Sequence, residues 1–325
     1  MKKRIHWLSD GDNVELDLLF KSNLASTRLR TAVACQFLKS KGYTVTVGDY
    51  IVGEVDKVII GKIGLNPAKF ENWMSQIIEH KKNDAKIYLD YTDNHMGIKS
   101  PIQKYYQSFF AITDSLIVTN HKMREIVSDY WYGPINIIPD AIEVDIVQPK
   151  DIENAPLRLL WFGHVSNLEF LINYIENNKI INDDKYHIKI MTNLYGIELI
   201  NKYLKKYNKL ENVDIFEWSK NLMCSVALNS DVCLIPASIN NPRKSGVSSN
   251  RLITALALGL PTLASSLPSY QDYSKYYIDI DFYPIDTILE NLKSQKNIIK
   301  EAQNFIFEKY SKYKIGELWQ NLVDQ

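Results

Sequence analysis

The sequence predicts an α/β protein built as two doubly wound, parallel-sheet lobes. Three observations lead there. Short apolar runs alternate with amphipathic helical patterns along nearly all of the 325 residues, the signature of strands joined by helical crossovers. The alternation pauses over residues 139–156, PDAIEVDIVQPKDIENAP, where three prolines and five acidic residues follow no periodicity. The length also exceeds what one hydrophobic core usually serves. The expected division is therefore 1–148, 149–300 and a C-terminal helix, 301–325, packing back on the first lobe.

In order, RIHWLSD (4–10) reads as a strand and residues 11–25 as a polar loop. Ser26 can cap a helix TRLRTAVACQFLKSKG, in which Leu29, Val33 and Phe37 recur at the i, i+4 interval. Strands YTVTV (43–47) and KVIIG (57–61) follow. Helices at 67–82, 101–113 and 121–131 then alternate with strands at 85–91, 115–120 and 135–140. Past the linker the alternation resumes with strands LRLLWF, YHIKIM, VDIFEW and DVCLIP, separated by helices at 167–178, 195–207 and 221–230. Residues 244–270, KSGVSSNRLITALALGLPTLASSLPSY, read as a polar loop, an apolar helix, a Gly-Leu-Pro stop and a short strand, completing a βαβ unit. From Asp286 onward the pattern is helical.

Apolar residues make up 46% and charged residues 23% of the chain, and 38 Lys and Arg balance 38 Asp and Glu. A net charge of zero argues against an extensive nucleic-acid surface. The start MKKRIHWLSD lacks the apolar stretch of a signal peptide, and no apolar run approaches the roughly eighteen residues of a membrane span. Cys35, Cys224 and Cys233 show no metal spacing and fit buried thiols in a reducing compartment. A cytoplasmic protein is expected.

The chemistry is expected where loops meet helices at the carboxyl edges of the sheets. The helix after the 244–249 loop opens with Asn250 and Arg251, and Lys244 lies just upstream. Cations at a helix N-terminus oppose its dipole by about 0.3–1 kcal/mol. A phosphate would remove that penalty by accepting from the free amides and the arginine. A solvated loop before an ordinary core helix is the plain alternative. Thr27-Arg28-Leu29-Arg30 repeats the oddity in the first lobe, the alternative being pairing with Asp10, Asp12 or Asp17. LDYTDNH (89–95) brings Asp90, Asp93 and His95 together, and a carboxylate beside an imidazole suits a general base. Gly163-His164 follows LRLLWF, where a glycine permits close backbone approach and an imidazole can donate to a phosphate. A satisfied surface histidine and a simple turn are the respective alternatives. Asp279-Ile280-Asp281 reads as a strand end rather than a metal pair. The fingerprints of P-loop NTPases, dinucleotide enzymes and α/β-hydrolases are absent.

The stretch SSNRLITALALGLPTLASSLPSY resembles the donor-binding helix of GT-B glycosyltransferases, close to the glycosyltransferase group 1, family 4-like set. Ala255, Leu256, Ala257, Gly259, Pro261, Ala264 and Ser265 carry the likeness. WFGHVSN (161–167) looks like the opening strand and turn of the family's donor lobe. ASTRLR, LDYTDNH, SLIVTN and NIIPDAIE follow the course of its first lobe. Two family glutamates spaced eight apart read here as Gly246 and Thr254, and the R-x-x-x-x-K pair is missing from HVSNLEFL.

The resemblance implies two Rossmann-like lobes facing a cleft and sugar transfer from a nucleotide-sugar donor to a glycan or lipid-linked acceptor, in surface polysaccharide biosynthesis. It places the nucleotide diphosphate on Gly163, His164, Lys244, Ser249, Asn250 and Arg251, with Thr254 near the ribose. Arg28 and Arg30 would face phosphates on the acceptor side, and His95 or Asp93 would act at the anomeric centre. Neither metal nor cofactor is expected, and the acceptor would bring the protein to the inner face of a membrane. The alternatives are a nucleotide-sugar epimerase or hydrolase on the same fold and a non-catalytic bilobal binding protein.

Overall fold

The computed structural model describes residues 3–10, 15–152, 156–206, 211–282, 285, 292 and 295–325. The helical pattern expected from Asp286 lies partly outside them. The chain forms two compact units. The first comprises residues 1–143, 245–248 and 308–325, and the second residues 144–244 and 249–307.

The first unit holds strands β1 (Arg4–Leu8), β2 (Thr44–Gly48), β3 (Lys57–Ile60), β4 (Lys86–Asp90), β5 (Ser115–Val118) and β6 (Ile135–Ile137). They form one parallel sheet in the order β2-β1-β3-β4-β5-β6. A parallel sheet needs cover on both faces. Val58, Ile60, Ile87, Leu89, Leu116 and Val118 share a buried cluster with Trp73, Ile77, Tyr106, Phe109, Met123 and Val127 of helices Pro67–Lys82, Gln103–Ile112 and His121–Ser128. Trp7 of β1 instead meets Trp319 of the last helix, Lys312–Asp324, edge to face at 4.9 Å. That helix packs on Ala32–Ser40, and a methyl group on Gly316 would lie 2.2 Å from the Phe37 ring. Asn66 and Asn120 cap their helices by accepting from Lys69 and Met123 amides, the bond that makes Asn a favoured N-cap.

The helix expected to start at Ser26 begins earlier. Ser26 has helical dihedrals and no side-chain cap bond, and Thr27–Thr31 forms a π-helical turn running into Ala32–Ser40. Part of the 11–25 stretch, Leu16–Leu19, is also helical.

The second unit holds β7 (Leu157–Phe162), β8 (Tyr186–Thr192), β9 (Val213–Glu217), β10 (Val232–Ile235), β11 (Thr262–Ala264) and β12 (Ile278–Asp279). Their parallel order is β12-β11-β10-β7-β8-β9, the doubly wound order of dinucleotide-binding sheets. Leu157, Leu159, Trp161, Ile188, Ile190, Val232 and Leu234 form a core with Leu171, Ile175, Ile200 and Leu204 of helices Leu168–Asn177 and Leu194–Leu204. The helix Asn250–Ala257 stops at the expected Gly-Leu-Pro. Gly259 adopts φ +77°, its amide donates to the Leu256 carbonyl, and Leu260 donates to Ala255, the two bonds of a Schellman cap. A side chain at 259 would also strike the Val147 carbonyl at 2.6 Å.

In each sheet the strand order reverses once, between β1 and β3 and between β7 and β10. Such a reversal opens a crevice at the carboxyl ends of the two strands, the usual ligand position in open α/β folds.

Candidate active site

In the second unit the crevice is occupied by Arg251. It stands in the first turn of Asn250–Ala257, whose N-cap, Ser249, makes no side-chain cap bond and instead donates its hydroxyl to Tyr273 Oη at 3.1 Å. The Arg251 guanidinium carbon lies 5.4 Å from the Trp161 ring and 5.7 Å from the Phe162 ring, the last two residues of β7. The next residue, Gly163, makes room for it. A methyl group there would be 3.3 Å from Arg251 Cζ and 3.2 Å from the Trp161 ring. Arg251 Nε and Nη2 are fully shielded from solvent and have no hydrogen-bond partner among the described residues. Burial, set against weaker attractions to Tyr270 and Cys233, pulls its pKa below the ordinary arginine value. Leaving a buried donor unsatisfied costs about 1–3 kcal/mol, more for a charged group. Stacking on two aromatic faces returns part of that.

Beyond Gly163 the chain turns through Val165–Asn167. His164 is exposed, and its Nδ1 accepts from the Ser166 amide at 3.2 Å. Val165 N donates to Asn193 Oδ1 at 3.1 Å, fixing the turn to the end of β8. Asn167 precedes the helix Leu168–Asn177, yet it makes no side-chain cap bond to it. Its Oδ1 accepts from Lys244 Nζ at 2.5 Å, and that ammonium lies 5.4 Å from the Phe170 ring. The side-chain cap is supplied one turn earlier, by His164 on the Val165–Asn167 turn that runs into this helix. Thr254 sits one turn along from Arg251, buried to 9% exposure.

The first unit presents a small hollow at its own reversal, lined by Ser9, Asp10, Ser26, Thr27, Lys62 and Thr92. The loop after β4 is organised by Tyr91. Its buried hydroxyl accepts from the His95 and Met96 amides at 2.7 and 2.9 Å, and burial pushes its pKa up to about 12. Asn94 Oδ1 accepts from Gly97 N. Asp93 pairs with Lys62 at 2.6 Å. His95 Nδ1 lies 2.9 Å from Ser100 Oγ, and its ring stacks on Tyr106 at 4.5 Å.

Asp90 takes a different role, and so do the two arginines expected to face phosphates. Arg30 is 1% exposed. Its Nε and Nη2 donate to both Asp90 oxygens at 2.6–3.0 Å, and its Nη1 donates to Asp140 Oδ1 and the Ile138 carbonyl. Burial lowers its pKa, but Asp90 and Asp140 together hold it above the ordinary value. Arg28 Nε and Nη2 grip Glu143, and Nη1 donates to the Ser22 carbonyl. Both arginines are thus structural pins, and the expected anion-facing helix start gives way to a π turn whose cations are matched by carboxylates. The acids are not those nearest in sequence, for Asp10 and Asp49 bind Lys69 and Asp12 lies outside the described residues. Asp279 accepts from Ser266 and caps the Asp281 amide. Among the described residues no group of three metal-ligating side chains gathers. Cys35 and Cys233 are buried as expected, whereas Cys224 is half-buried.

No protein-family model matches the chain, and neither does any curated protein sequence. Its architecture does have counterparts. Sucrose-phosphate synthase from Thermosynechococcus elongatus superposes with a TM-score of 0.71 at 11% identity, over 100% of this chain and 99% of that one. HepE of Anabaena, solved in complex with UDP-glucose, gives a TM-score of 0.67 at 10% identity, over 99% of both chains. TarM gives 0.62 at 18% identity, with 83% of this chain covering 55% of TarM. The chain has a GT-B fold. The similarity is carried by architecture rather than by shared residues.

Within the GT-B fold, the structure gathers Gly163, His164 and Lys244 around one turn, with Ser249, Asn250 and Arg251 at the adjoining helix start. Trp161, Phe162 and Asn167 belong to the same cluster and were not singled out from sequence. The only signal for the aromatic pair was the WFG order at a strand end. Asn167 gave none, because its partner Lys244 lies far along the chain. Among the described residues no helix is long and apolar enough to cross a membrane.

Proposed function

We propose that the protein transfers a glycosyl group from a nucleoside-diphosphate sugar to a hydroxyl acceptor. One observation carries this reading, the shielded Arg251 guanidinium with Nε and Nη2 unused at the strand-order reversal of the second sheet. A diphosphate would accept from these donors and from the uncapped amides of Asn250–Ala257, satisfying groups that otherwise cost stability. In the transfer step the same groups would stabilise charge on the departing nucleoside diphosphate. Gly163, His164, Ser249 and Asn250 would complete the phosphate contacts, with Thr254 beside the ribose.

Asp93 and His95 of the first unit are the proposed acid–base and electrostatic pair. The hydroxyl-lined hollow beside Lys62 suits a polar part of the acceptor, a glycan or the head of a lipid-linked one. Surface polysaccharide biosynthesis on the cytoplasmic side of a membrane is the setting proposed with that acceptor. Phosphate-charge stabilisation by arginine and helix amides requires no metal in this scheme. The complexes of HepE with UDP-glucose and with UDP and glucose support a uridine nucleotide as the first donor to try.

Calorimetric titration with UDP, GDP and CDP tests the reading. Binding of at least one nucleotide is expected, weakened about tenfold or more in Arg251→Ala, since charged hydrogen bonds contribute about 1.5–3 kcal/mol. Wild-type protein that binds none of the three would overturn it.

A further inference from the structure

Asn66, Asn120, Ser219 and Ser311 cap their helices in one pattern. Each accepts from the amide three residues on, that of Lys69, Met123, Leu222 or Lys314, at 2.8–3.4 Å. All four have extended backbones, with ψ between 103° and 172°. Ser249 is a residue type that favours this position, yet it departs from the pattern. It stands at φ −78°, ψ 11° and makes no cap bond to the helix Asn250–Ala257. Its hydroxyl donates instead to Tyr273 Oη at 3.1 Å. Tyr273 is firmly seated. It ends the short helix Pro268–Tyr273, is buried, and meets the Phe305 ring edge to face at 5.9 Å. The amide that a cap of this pattern would occupy is that of Leu252, among the first-turn donors that have no acceptor within their own helix. It lies next in the chain to Arg251, whose Nε and Nη2 are shielded and have no hydrogen-bond partner among the described residues. Two kinds of donor, a backbone amide and a guanidinium, are thus left unused at one helix start.

We propose that Tyr273 is a positioning residue, which draws Ser249 away from its own helix and so reserves the Leu252 amide for an anion. This rests on the donor reading above and deepens it, since it gives a reason for a serine that does not cap. Without the Tyr273 hydroxyl, Ser249 is released to extend and cap Leu252 as its four counterparts cap their helices. The serine oxygen then competes with phosphate for that amide. Tyr273 touches neither nucleotide nor sugar in this scheme, and its effect passes through Ser249.

Tyr273→Phe and Ser249→Ala, singly and together, test this by amide hydrogen exchange, thermal melting and calorimetric titration with UDP, GDP and CDP. In Tyr273→Phe without nucleotide, exchange at the Leu252 amide should slow and the melting temperature should hold or rise. Affinity for the nucleotide that the wild type binds best should fall about fivefold, the factor set by a serine cap of ordinary strength competing for one amide. In the Ser249→Ala background the same change should leave affinity unaltered, because no hydroxyl remains to take the amide. An equal loss in both backgrounds, with a lower melting temperature, would make Tyr273 a structural support and overturn the proposal. Unchanged exchange at Leu252 would overturn it as well, and so would slowed exchange with affinity intact. A wild type that binds none of the three nucleotides removes the donor reading and the role of Tyr273 together, whereas the preceding outcomes remove the role of Tyr273 alone.

Discussion

Gly163 lies against the guanidinium of Arg251 so closely that one added methyl group would stand 3.3 Å from its Cζ. At that distance an alanine methyl is tight, and a neighbouring side chain must give by a few tenths of an ångström. Gly163→Ala must displace either the arginine or the Trp161 ring beneath it. Expected is a several-fold loss of nucleotide affinity in calorimetry, with a melting temperature within a few degrees of the wild type. Unchanged affinity would mean that Arg251 does not need its observed position to bind.

Arg30 makes the opposite prediction. It is the shared cation of Asp90 and Asp140, deep inside the first unit, and stacks at 5.4 Å on Trp319. Arg30→Met leaves two shielded carboxylates without their partner. Breaking one side of a buried ion pair typically costs about 3–5 kcal/mol. Urea denaturation should show a loss of that order, while whatever folded protein remains binds nucleotide normally.

His6 supplies a pH signature. Its Nε2 lies 3.1 Å from the Gly48 carbonyl and its Nδ1 2.8 Å from Thr46 Oγ1. A carbonyl only accepts, so Nε2 carries the proton and Nδ1 accepts from the threonine. Burial, opposed by the bond to Gly48, lowers the pKa from 6.5 to about 4. The folded state therefore stays neutral where the unfolded chain already binds a proton. Stability is fully present above pH 6.5 and falls as pH drops toward 4, by up to about 1.4 kcal/mol per unit. His6→Val should flatten that part of the curve of urea midpoint against pH. An identical slope in the variant would assign the loss elsewhere.

Gly316 tests the seat of the last helix. A Cβ there would lie 2.2–2.7 Å from atoms of Phe37, too close without backbone movement. Gly316→Ala gains helix propensity yet should destabilise by about 1–3 kcal/mol, the usual cost of overpacking. Phe37→Leu should recover part of the loss in the double variant, read as the coupling between two denaturation curves.

The strands were legible because buried parallel strands are nearly continuous apolar runs. LRLLWF, DVCLIP and KVIIG carry their own boundaries in the polar residues around them. The Gly259 stop was equally plain, since only a left-handed cap accounts for Gly-Leu-Pro after an apolar helix. What sequence could not supply was partnership across distance. Arg28 and Arg30 read as exposed cations because their acids, Glu143, Asp90 and Asp140, lie 60 to 115 residues away. Lys244 and Asn167 are separated by 77. The π turn at Thr27–Thr31 was hidden for a related reason. Local periodicity describes a regular helix, whereas residues 28 and 30 make their ion pairs from within a π turn.

The first unit contains residues 308–325, and that fact governs how the chain is made. Trp7 and Arg30 emerge from the ribosome early, while Trp319, which covers both, is translated only after the whole second sheet. A nascent chain halted at the linker lacks the helix that packs against Trp7 of the first strand and against Ala32–Ser40. Folding of the N-terminal half is thus completed last, and a fragment ending near Glu143 should bind chaperones or aggregate where the full chain does not.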